Sequence, residues 1–310
     1  MLARECRPNR PCQGTVLSYS AGSANLNPWT YRVVKQAAQD RLLRVLELFP
    51  QLIPLLSGET PVVINCYPAA IGAFPSAVFI DTYLRPQNVS RGLLLAHACD
   101  APAVILGQPL PMLHFLIRHR TLELAFPPRL LIVIGGYTCP FSCERAIRQT
   151  VEEAGAGCAV LHAYGMAEVD AACLLALRRD EKSRLMYQPA GEQVLAKVIN
   201  SELFLGIRTG HSHREHLVAT GDRAFWMPQG LVIEAPPHRL DPVLFGELES
   251  WNADQWRRRT GYARWVQGRW WFQLRPGIAV STADELMFDQ IGDANGSLWL
   301  DKPSWDAHPC

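Results

Sequence analysis

Apolar and polar residues alternate along the first 185 positions in a way that predicts strands and helices in turn. Short apolar runs predict strands, and longer stretches with an apolar residue every three or four positions predict helices. Strands separated by helices at this spacing are typical of a parallel, helix-covered sheet. Strands are predicted at residues 14–19, 61–65, 103–107, 129–134 and 159–162, and helices at 29–48, 90–98, 111–120 and 140–154.

The pattern changes after about residue 185, where short apolar runs separated by glycines replace the helical periodicity. Residues 194–198 and 202–207 predict a hairpin, and residues 230–234, 244–248 and 269–274 predict further short strands. Such a series indicates an antiparallel β region. We therefore predict an α/β class with three parts: an α/β part at 1–185, a β-rich subdomain of the same large domain at 186–280, and a short tail at 281–310.

Composition places the chain among globular proteins. It has 310 residues, of which 48% are hydrophobic and 19% charged, with a formal net charge of +1. A balance so close to neutral gives no reason to expect nucleic acid or a membrane as the main partner. The nine cysteines are an odd number and are dispersed, which is typical of reduced thiols. With no signal-peptide or membrane-span pattern, we expect a cytoplasmic protein; the oligomeric state is not predicted.

The stretch at 158–168 carries the strongest candidate chemistry. An apolar run containing His162 ends in Tyr164-Gly165, and Glu168 follows where a helix is expected to begin. The sequence therefore predicts a strand and turn that bring an aromatic ring and a carboxylate to the mouth of the sheet. A loop of small residues with Ser20, Gly22 and Ser23 lies between a predicted strand and helix, where backbone N–H groups and the helix dipole favour phosphate.

Residues 164–168, Tyr-Gly-Met-Ala-Glu, closely resemble the Tyr-Gly-Met-Thr-Glu signature of the adenylate-forming enzymes, the acyl-CoA synthetase, adenylation-domain and luciferase superfamily. Over roughly residues 15–280 other segments follow in the family's order, and the short spacing is similar to the phenylacetate-CoA ligase and LuxE-like branch. These segments are the 20–28 loop, the 131–136 strand with Gly135-Gly136, Gly246-Glu247-Leu248, and the 260–275 block with Thr260-Gly261-Tyr262 and Arg275.

The resemblance implies a protein that uses ATP or AMP with Mg²⁺ and acts on a carboxylic acid, with an amine, a thiol or a carrier protein as acyl acceptor. Tyr164 would stack on adenine, Glu168 would bind Mg²⁺, and His162 and Glu168 would be the catalytic residues. The nucleotide-binding residues would be Ser20, Gly22, Ser23, Gly135, Gly136, Tyr164, Gly165, Tyr262 and Arg275. The pocket for the acid, which is expected to be bulky, for example aromatic, would be lined by Tyr67, Ala69, Gly72 and Met166.

The chain departs from the family pattern in ways that define a second hypothesis. Trp29 follows Pro28 where the family has a phosphate-binding lysine, and Tyr262 stands where the family has an aspartate that grips the ribose. Thr220-Gly221-Asp222 would supply that aspartate, but it precedes Gly246-Glu247-Leu248 and is therefore out of order. The family's mobile C-terminal domain is also expected to be missing. The alternative is a catalytically degenerate nucleotide- or acyl-binding or partner protein of the same fold.

Two further motifs predict different chemistry. Residues 211–216, His-Ser-His-Arg-Glu-His, resemble the metal motif of metallo-β-lactamase-type hydrolases and suggest a zinc-dependent hydrolase as a third hypothesis. Cys139 lies at the start of a predicted helix, where a thiol can have a lowered pKa and act as an acyl-accepting nucleophile.

Overall fold

Two groups of chain segments each make most of their contacts internally in a computed structural model of the protein. The α/β unit consists of Pro54–Pro68, Val78–Leu161 and Ala235–Cys310, and the β unit consists of Met1–Ile53, Ala69–Ala77 and His162–Glu234. The structure describes residues 15–19, 31–35, 40–67, 74–166, 169–208, 217–234, 242–261, 263–266, 269–275, 278–282 and 289–292.

The described residues form the following strands and helices, labelled in chain order. The strands are β1 (Thr15–Tyr19), β2 (Tyr31–Lys35), β3 (Val62–Cys66), β4 (Val78–Asp81), β5 (Ala103–Gly107), β6 (Arg129–Ile134), β7 (Gly157–Met166), β8 (Asp170–Ala176), β9 (Gln188–Pro189), β10 (Val194–Ile199), β11 (Glu202–Ile207), β12 (Leu217–Met227), β13 (Gly230–Glu234), β14 (Ala263–Val266), β15 (Arg269–Arg275), β16 (Ile278–Thr282) and β17 (Asp289–Gly292). The helices are α1 (Arg41–Leu48), α2 (Ile53–Leu56), α3 (Pro86–Ala98), α4 (Pro109–Thr121), α5 (Phe141–Glu152), α6 (Pro242–Ser250) and α7 (Ala253–Gly261).

A parallel sheet forms the centre of the α/β unit. Its strands lie in the order β4-β3-β5-β6, followed by the first half of β7, and the first four pair in parallel. Alternate strand residues such as Ile64, Ile105 and Ile132 share a core with apolar residues of α3, α4 and α5. The intervening residues Val63 and Leu131 are buried as well, outside that core. Burial on both faces explains why the inner strands β5 and β6 are nearly continuous apolar runs, whereas the edge strand β4 is largely exposed.

Residues 242–282 supply part of the same core. Trp256 of α7 and Phe272 of β15 are fully buried in it. The Trp270 indole N–H donates a hydrogen bond to the Leu84 carbonyl oxygen at 3.1 Å. The tryptophans of this region are therefore packing residues of the α/β unit, and β14 to β17 form an antiparallel sheet in sequential order.

The β unit contains three antiparallel arrangements. Strands β10, β11, β12 and β13 form a four-stranded sheet in sequential order. The second half of β7 pairs with β8, which pairs with β9, and β1 pairs with β2. Helix α1 begins after Asp40, whose carboxylate accepts the Leu42 N–H at 2.8 Å and so caps the helix.

The predicted fold class is confirmed: a mostly parallel, helix-covered sheet is followed along the chain by antiparallel β structure. The predicted strands at 14–19, 61–65, 103–107, 129–134, 194–198, 202–207, 230–234 and 269–274 and the helices at 90–98, 111–120 and 140–154 correspond to observed elements within a few residues.

Two predicted elements are wrong. Residues 31–35 of the predicted helix at 29–48 form strand β2, in which β-branched Val33 and Val34 pair with β1, and helix α1 begins only at Arg41. The predicted strand at 244–248, which carries Gly246-Glu247-Leu248, lies instead in helix α6. Leu and Glu favour a helix, and the Leu248 side chain is fully buried from the helical position.

Candidate functional site

Tyr164, Gly165 and Met166 lie within strand β7, so the turn predicted at Tyr164-Gly165 is wrong. The strand pairs with β8 up to Tyr164 opposite Leu174, and the register shifts before Met166 pairs with Asp170. The chain therefore continues into a second strand, β8, where a helix was expected. His162 of the same strand is buried, with 4% of its surface exposed.

A β-bulge in strand β12 is formed by Thr220, Gly221 and Asp222. Glu202 pairs with Arg223, and Phe204 pairs with Ala219. The three bulged residues of β12 therefore lie opposite the single residue Leu203 of β11. Gly221 has a φ of 76°, in the left-handed region that glycine adopts at no steric cost.

The Thr220 hydroxyl stabilises this bulge from both sides. It donates to the carbonyl oxygen of Leu203 at 3.0 Å and accepts the Asp222 N–H at 3.1 Å. Bulges bend a strand and change the direction of a side chain. Here the Asp222 side chain is buried, with 3% of its surface exposed.

The Tyr164 hydroxyl donates a hydrogen bond to Oδ2 of Asp222. The bond joins the two motifs, 58 residues apart in sequence, within the β unit. A buried carboxylate loses its hydration, and a hydroxyl donor offsets part of that cost. The Tyr187 ring meets the Tyr164 ring edge to face, with centroids 6.1 Å apart. Tyr164 thus has a fixed position, with an acid at its hydroxyl and an aromatic ring beside it.

Helix α6 bears on the expected order of the motifs. Thr220-Gly221-Asp222 was set aside because it precedes Gly246-Glu247-Leu248, which was expected to be a strand. Since those residues lie in helix α6, the reason for setting Asp222 aside does not hold.

Backbone hydrogen bonds fix the position of Tyr187 next to strand β13. Tyr187 and Leu231 exchange two backbone hydrogen bonds of 2.8 Å. A Cβ atom at Gly230 would lie 2.8 Å from the Tyr187 carbonyl oxygen, closer than real Cβ contacts. Only glycine therefore permits this bridge between residue 187 and strand β13.

The predicted nucleotide residues Gly135 and Gly136 follow strand β6 in the α/β unit. Gly136 has a φ of 94°, and a Cβ atom there would lie 3.0 Å from the Tyr67 hydroxyl oxygen and 3.2 Å from Cγ of Gln108. The structure thus brings Tyr67, a predicted pocket residue, next to Gly136. Burial raises the pKa of the Tyr67 hydroxyl, which is therefore protonated at neutral pH.

Gln108 lies between β5 and α4 and was not predicted as a site residue. Its side chain is 1% exposed, and its amide nitrogen has no hydrogen-bond partner among the described residues. A buried amide without a partner costs about 1–3 kcal/mol. The neighbouring Tyr137 hydroxyl is held in place, since it accepts the Leu110 N–H at 3.0 Å.

The N-terminus of helix α5 is occupied by a carboxylate. Glu249 of α6 accepts the Phe141 N–H at 2.8 Å and the Ser142 N–H at 3.2 Å. Cys139, the proposed thiol nucleophile, lies just before this helix and is 3% exposed. Burial raises the pKa of the nearby Cys143 thiol well above its usual value. Both cysteines are therefore packed inside the protein, and the Cys143 thiol is protonated.

No protein-family profile and no curated protein matches the chain. Among solved structures, the chain is similar to a point-mutant form of coronafacic acid ligase from Pectobacterium brasiliense, at 18% identity and a TM-score of 0.43, over 66% of this chain and 44% of the other. It is also similar to the anthranilate CoA ligase AuaEII in complex with anthranoyl-AMP, at 15% identity and a TM-score of 0.43, over 70% and 46%. Both are ligases, and this chain spans less than half the length of each.

Several predicted residues lie outside the described part of the chain. They are Ser20, Gly22, Ser23, Ala69, Gly72, Glu168, Tyr262 and the histidine motif at 211–216. Arg275 ends strand β15, but its side chain is not among those described. Within the described residues, no group of His, Cys, Asp or Glu side chains is arranged to hold a metal ion. None of the helices in this part has the length and apolar character needed to span a membrane.

Sequence reasoning missed Asp222 and Gln108 for different reasons. The Thr-Gly-Asp triplet was visible, and a glycine inside a strand pattern is a known sign of a bulge. The error was in the secondary structure of residues 244–248, which determined the motif order. Gln108 gave no local signal, because its lack of a partner depends on residues that meet it only in the folded chain.

Proposed function

We propose that this chain is an adenylate-forming-type ligase or acyltransferase, which activates or accepts a carboxylic acid as acyl-AMP. The hydrogen bond from Tyr164 to Asp222 carries the proposal. The family resemblance requires an aromatic ring for the adenine and an aspartate for the ribose. The chain provides both side by side, from two motifs that the resemblance names separately.

With Asp222 next to Tyr164, the substitution of the family's aspartate by Tyr262 counts less against nucleotide binding. With Gly246-Glu247-Leu248 on a helix, we infer that Gly191-Glu192, which Gln193 separates from strand β10, takes the place of the Gly-Glu pair before Thr220-Gly221-Asp222. The family order is then kept without Tyr262 in the role of the aspartate. On this proposal the lysine missing after Pro28 is the remaining departure among the nucleotide-binding residues.

In the proposed reaction the residues of this chain bind and orient the reactants. The Tyr164 ring stacks on adenine, and the Asp222 carboxylate accepts hydrogen bonds from the ribose hydroxyls. The acid's carboxylate oxygen attacks the α-phosphorus of ATP, a new P–O bond forms, and the bond to pyrophosphate breaks with its electron pair leaving on pyrophosphate. Glu168 keeps its proposed role as ligand of Mg²⁺, which would neutralise the phosphates.

His162 has a narrower proposed role. It is buried two residues before Tyr164 on the same strand, so it supports the position of β7 more readily than it exchanges protons with solvent. An amine, a thiol or a carrier protein remains the proposed acyl acceptor.

The second candidate function is a non-catalytic protein of the same fold that binds a nucleotide or an acyl ligand. The residue after Pro28, Trp29, favours it, because an indole cannot neutralise a phosphate as lysine does. The two functions differ in chemistry and not in binding.

Calorimetric titration of ATP and AMP with Mg²⁺, together with carboxylate-dependent pyrophosphate release across a panel of acids, tests both functions. We expect Asp222→Asn to weaken AMP binding about 10- to 100-fold, as for loss of a hydrogen bond to a charged group, and Tyr164→Phe, which keeps the stacking ring, to have a smaller effect. The matched controls Asp100→Asn and Tyr83→Phe change exposed residues of the same types and leave binding unchanged.

The outcomes separate the hypotheses clearly. Absence of nucleotide binding at millimolar concentration contradicts the adenylation proposal. Nucleotide binding without pyrophosphate release for any acid supports the non-catalytic protein. Binding that is unaffected by Asp222→Asn, Tyr164→Phe and Glu168→Ala shows that the nucleotide site lies elsewhere.

A further inference from the structure

The carboxyl ends of three strands lie close to Gly136 in the α/β unit. Tyr67 follows strand β3, Gln108 follows β5 and Gly136 follows β6, and these three strands are parallel neighbours. Their carboxyl ends therefore lie at one edge of the sheet, which is where ligands bind in open α/β sheets. The position of a Cβ atom on Gly136 is within 3.2 Å of both the Tyr67 hydroxyl and the Gln108 side chain.

The two side chains at this edge carry donor groups that no described residue accepts. The Gln108 amide nitrogen is buried and makes no hydrogen bond within the described residues. The described hydrogen bond of Tyr67 is made by its backbone N–H to Asn65, and the hydroxyl of this partly exposed residue is left to a ligand or solvent. Buried donors such as the Gln108 amide are nearly always satisfied in native proteins, so an unpaired one calls for a partner from outside the chain.

We propose that Gln108 and Tyr67 form the polar end of the acid pocket and donate two hydrogen bonds to a single uncharged carbonyl oxygen on the acid's far end. This inference rests on the proposed function, because it concerns the acid that the protein activates. It names a substrate class: carboxylic acids with a neutral ketone or amide oxygen distant from the reacting carboxylate.

The number and charge of the donors select this class. A carbonyl oxygen has two lone pairs and takes two donors, whereas a ring nitrogen of adenine has one. A second carboxylate would be buried against neutral donors alone, which is costly for an unpaired charge. A hydrocarbon group would leave both donors unsatisfied.

Three benzoates of similar shape test the proposal: 4-acetylbenzoate, 4-isopropylbenzoate and terephthalate. The acetyl and isopropyl groups differ mainly in one carbonyl oxygen, and terephthalate replaces the methyl group with a charged oxygen. Binding of each acid to the full chain is measured by calorimetry without nucleotide, and pyrophosphate release is measured with ATP. We expect 4-acetylbenzoate to bind at least about tenfold more tightly than either of the others.

Gln108→Leu and Tyr67→Phe are the test variants, since each removes donors and keeps most of the side-chain volume. We expect each to reduce the preference for the acetyl over the isopropyl acid to about threefold or less. Gln51→Leu and Tyr83→Phe, at exposed positions, are the controls and keep the full preference. An unchanged preference in both Gln108→Leu and Tyr67→Phe overturns the proposal.

Thermal unfolding without ligand distinguishes a binding role from a structural one. If the Gln108 amide awaits a ligand, Gln108→Leu is as stable as the wild type or more stable, because a buried unpaired amide has been removed. A lower melting temperature for Gln108→Leu means that the amide has a partner in the folded chain, and this overturns the proposal.

The two proposals fail in different ways. Pyrophosphate release without a preference for the acetyl acid overturns this inference and leaves adenylation standing. A Gln108-dependent preference in calorimetry, without nucleotide binding, supports the pocket and overturns adenylation. Weaker AMP binding in Gln108→Leu, with unchanged acid preference, assigns the donors to adenine and overturns the carbonyl pocket.

Discussion

The hydrogen bond between Tyr164 and Asp222 can be measured as a coupling within the β unit. We expect Tyr164→Phe to lower the free energy of unfolding by about 1–3 kcal/mol, because the buried Asp222 carboxylate loses a donor. Urea unfolding of Tyr164→Phe, Asp222→Asn and the double variant forms a thermodynamic cycle. The interaction is expected to be about 0.5–3 kcal/mol. Strictly additive effects would contradict the contact.

Gly136 and Gly155 form a matched pair for testing the crowded edge of the parallel sheet. Both have left-handed φ values, 94° and 84°, but a Cβ atom at Gly155 meets nothing within 4 Å. Backbone strain alone predicts a loss of about 1–2 kcal/mol for Gly155→Ala. We expect Gly136→Ala to lose at least about 1 kcal/mol more, because the methyl group meets Tyr67 and Gln108. Equal losses in denaturant unfolding would show that this edge is not crowded.

His119 of α4 makes stability depend on pH. Burial lowers the pKa of this histidine, whose Nε2 lies 3.0 Å from the Ala125 carbonyl oxygen. The folded state favours the neutral ring, so this contribution to stability is complete above the unfolded pKa of about 6.5 and is lost as the pH falls below it. We expect the wild type to lose more stability between pH 7.5 and pH 5.5 than His119→Gln does. Urea unfolding at both pH values gives the difference, and identical losses would contradict it.

The candidate site was predicted from sequence at some residues and not at others for a physical reason. Gly136 could be found because a strand end followed by glycine has a local signature, whereas Tyr164, which lies inside strand β7, was found through the family motif. Recognising Asp222 required knowledge of the register of β12 against β11. Recognising Gln108 required knowledge of its hydrogen-bond partners. Register and partner count depend on residues far away in the sequence, so no local pattern contains them.

Helix α5 depends on a cap from another helix. The Glu249 carboxylate accepts two backbone N–H groups at its N-terminus, and its charge lies at the positive end of the helix dipole. We expect Glu249→Ala to lower the free energy of unfolding by about 1–2 kcal/mol. Glu59→Ala, at an exposed position of the same unit, is the control and should change stability little. Similar effects of the two changes would contradict the capping role.

The predicted elements are right where the apolar runs are strong. They are wrong at residues 29–48 and 244–248. The buried parallel strands are uninterrupted apolar runs, and each was found. Residues 29–48 have apolar positions compatible with a helix throughout. Residues 31–35 nevertheless form strand β2, because they pair with β1. The Asp40 cap then determines where α1 begins. For residues 244–248 the run was too short for its period to separate a strand from a helix.

For the molecule as a whole, the α/β unit requires the last third of the chain. Seven of its core residues come from this region: Leu248, Trp251, Trp256, Ala263, Trp270, Phe272 and Leu274. We expect a chain ending at residue 234 to fail to fold, because their partners in α4 and α5 would be exposed to water. Circular dichroism and thermal unfolding of both chains check this. A cooperative transition like that of the full chain would contradict the prediction.

The fold class was predictable because it follows from the order of strands and helices. The division of the chain was not, since each unit is assembled from three separate segments. A boundary read along the sequence can only separate one continuous stretch from the next. The predicted boundaries at residues 185 and 280 therefore remain predictions about subdomains.

The Glu249 cap also has a consequence for synthesis of the chain. Phe141 emerges from the ribosome 108 residues before the carboxylate that caps its helix. At translation rates of about 5–20 residues per second, Glu249 is made roughly 5–20 seconds after Phe141, and helix α5 remains uncapped during this time. During that interval the nascent polypeptide exposes apolar surface that the later segments cover. Chaperone demand in the cell should thus be greatest while residues 142–249 are being made.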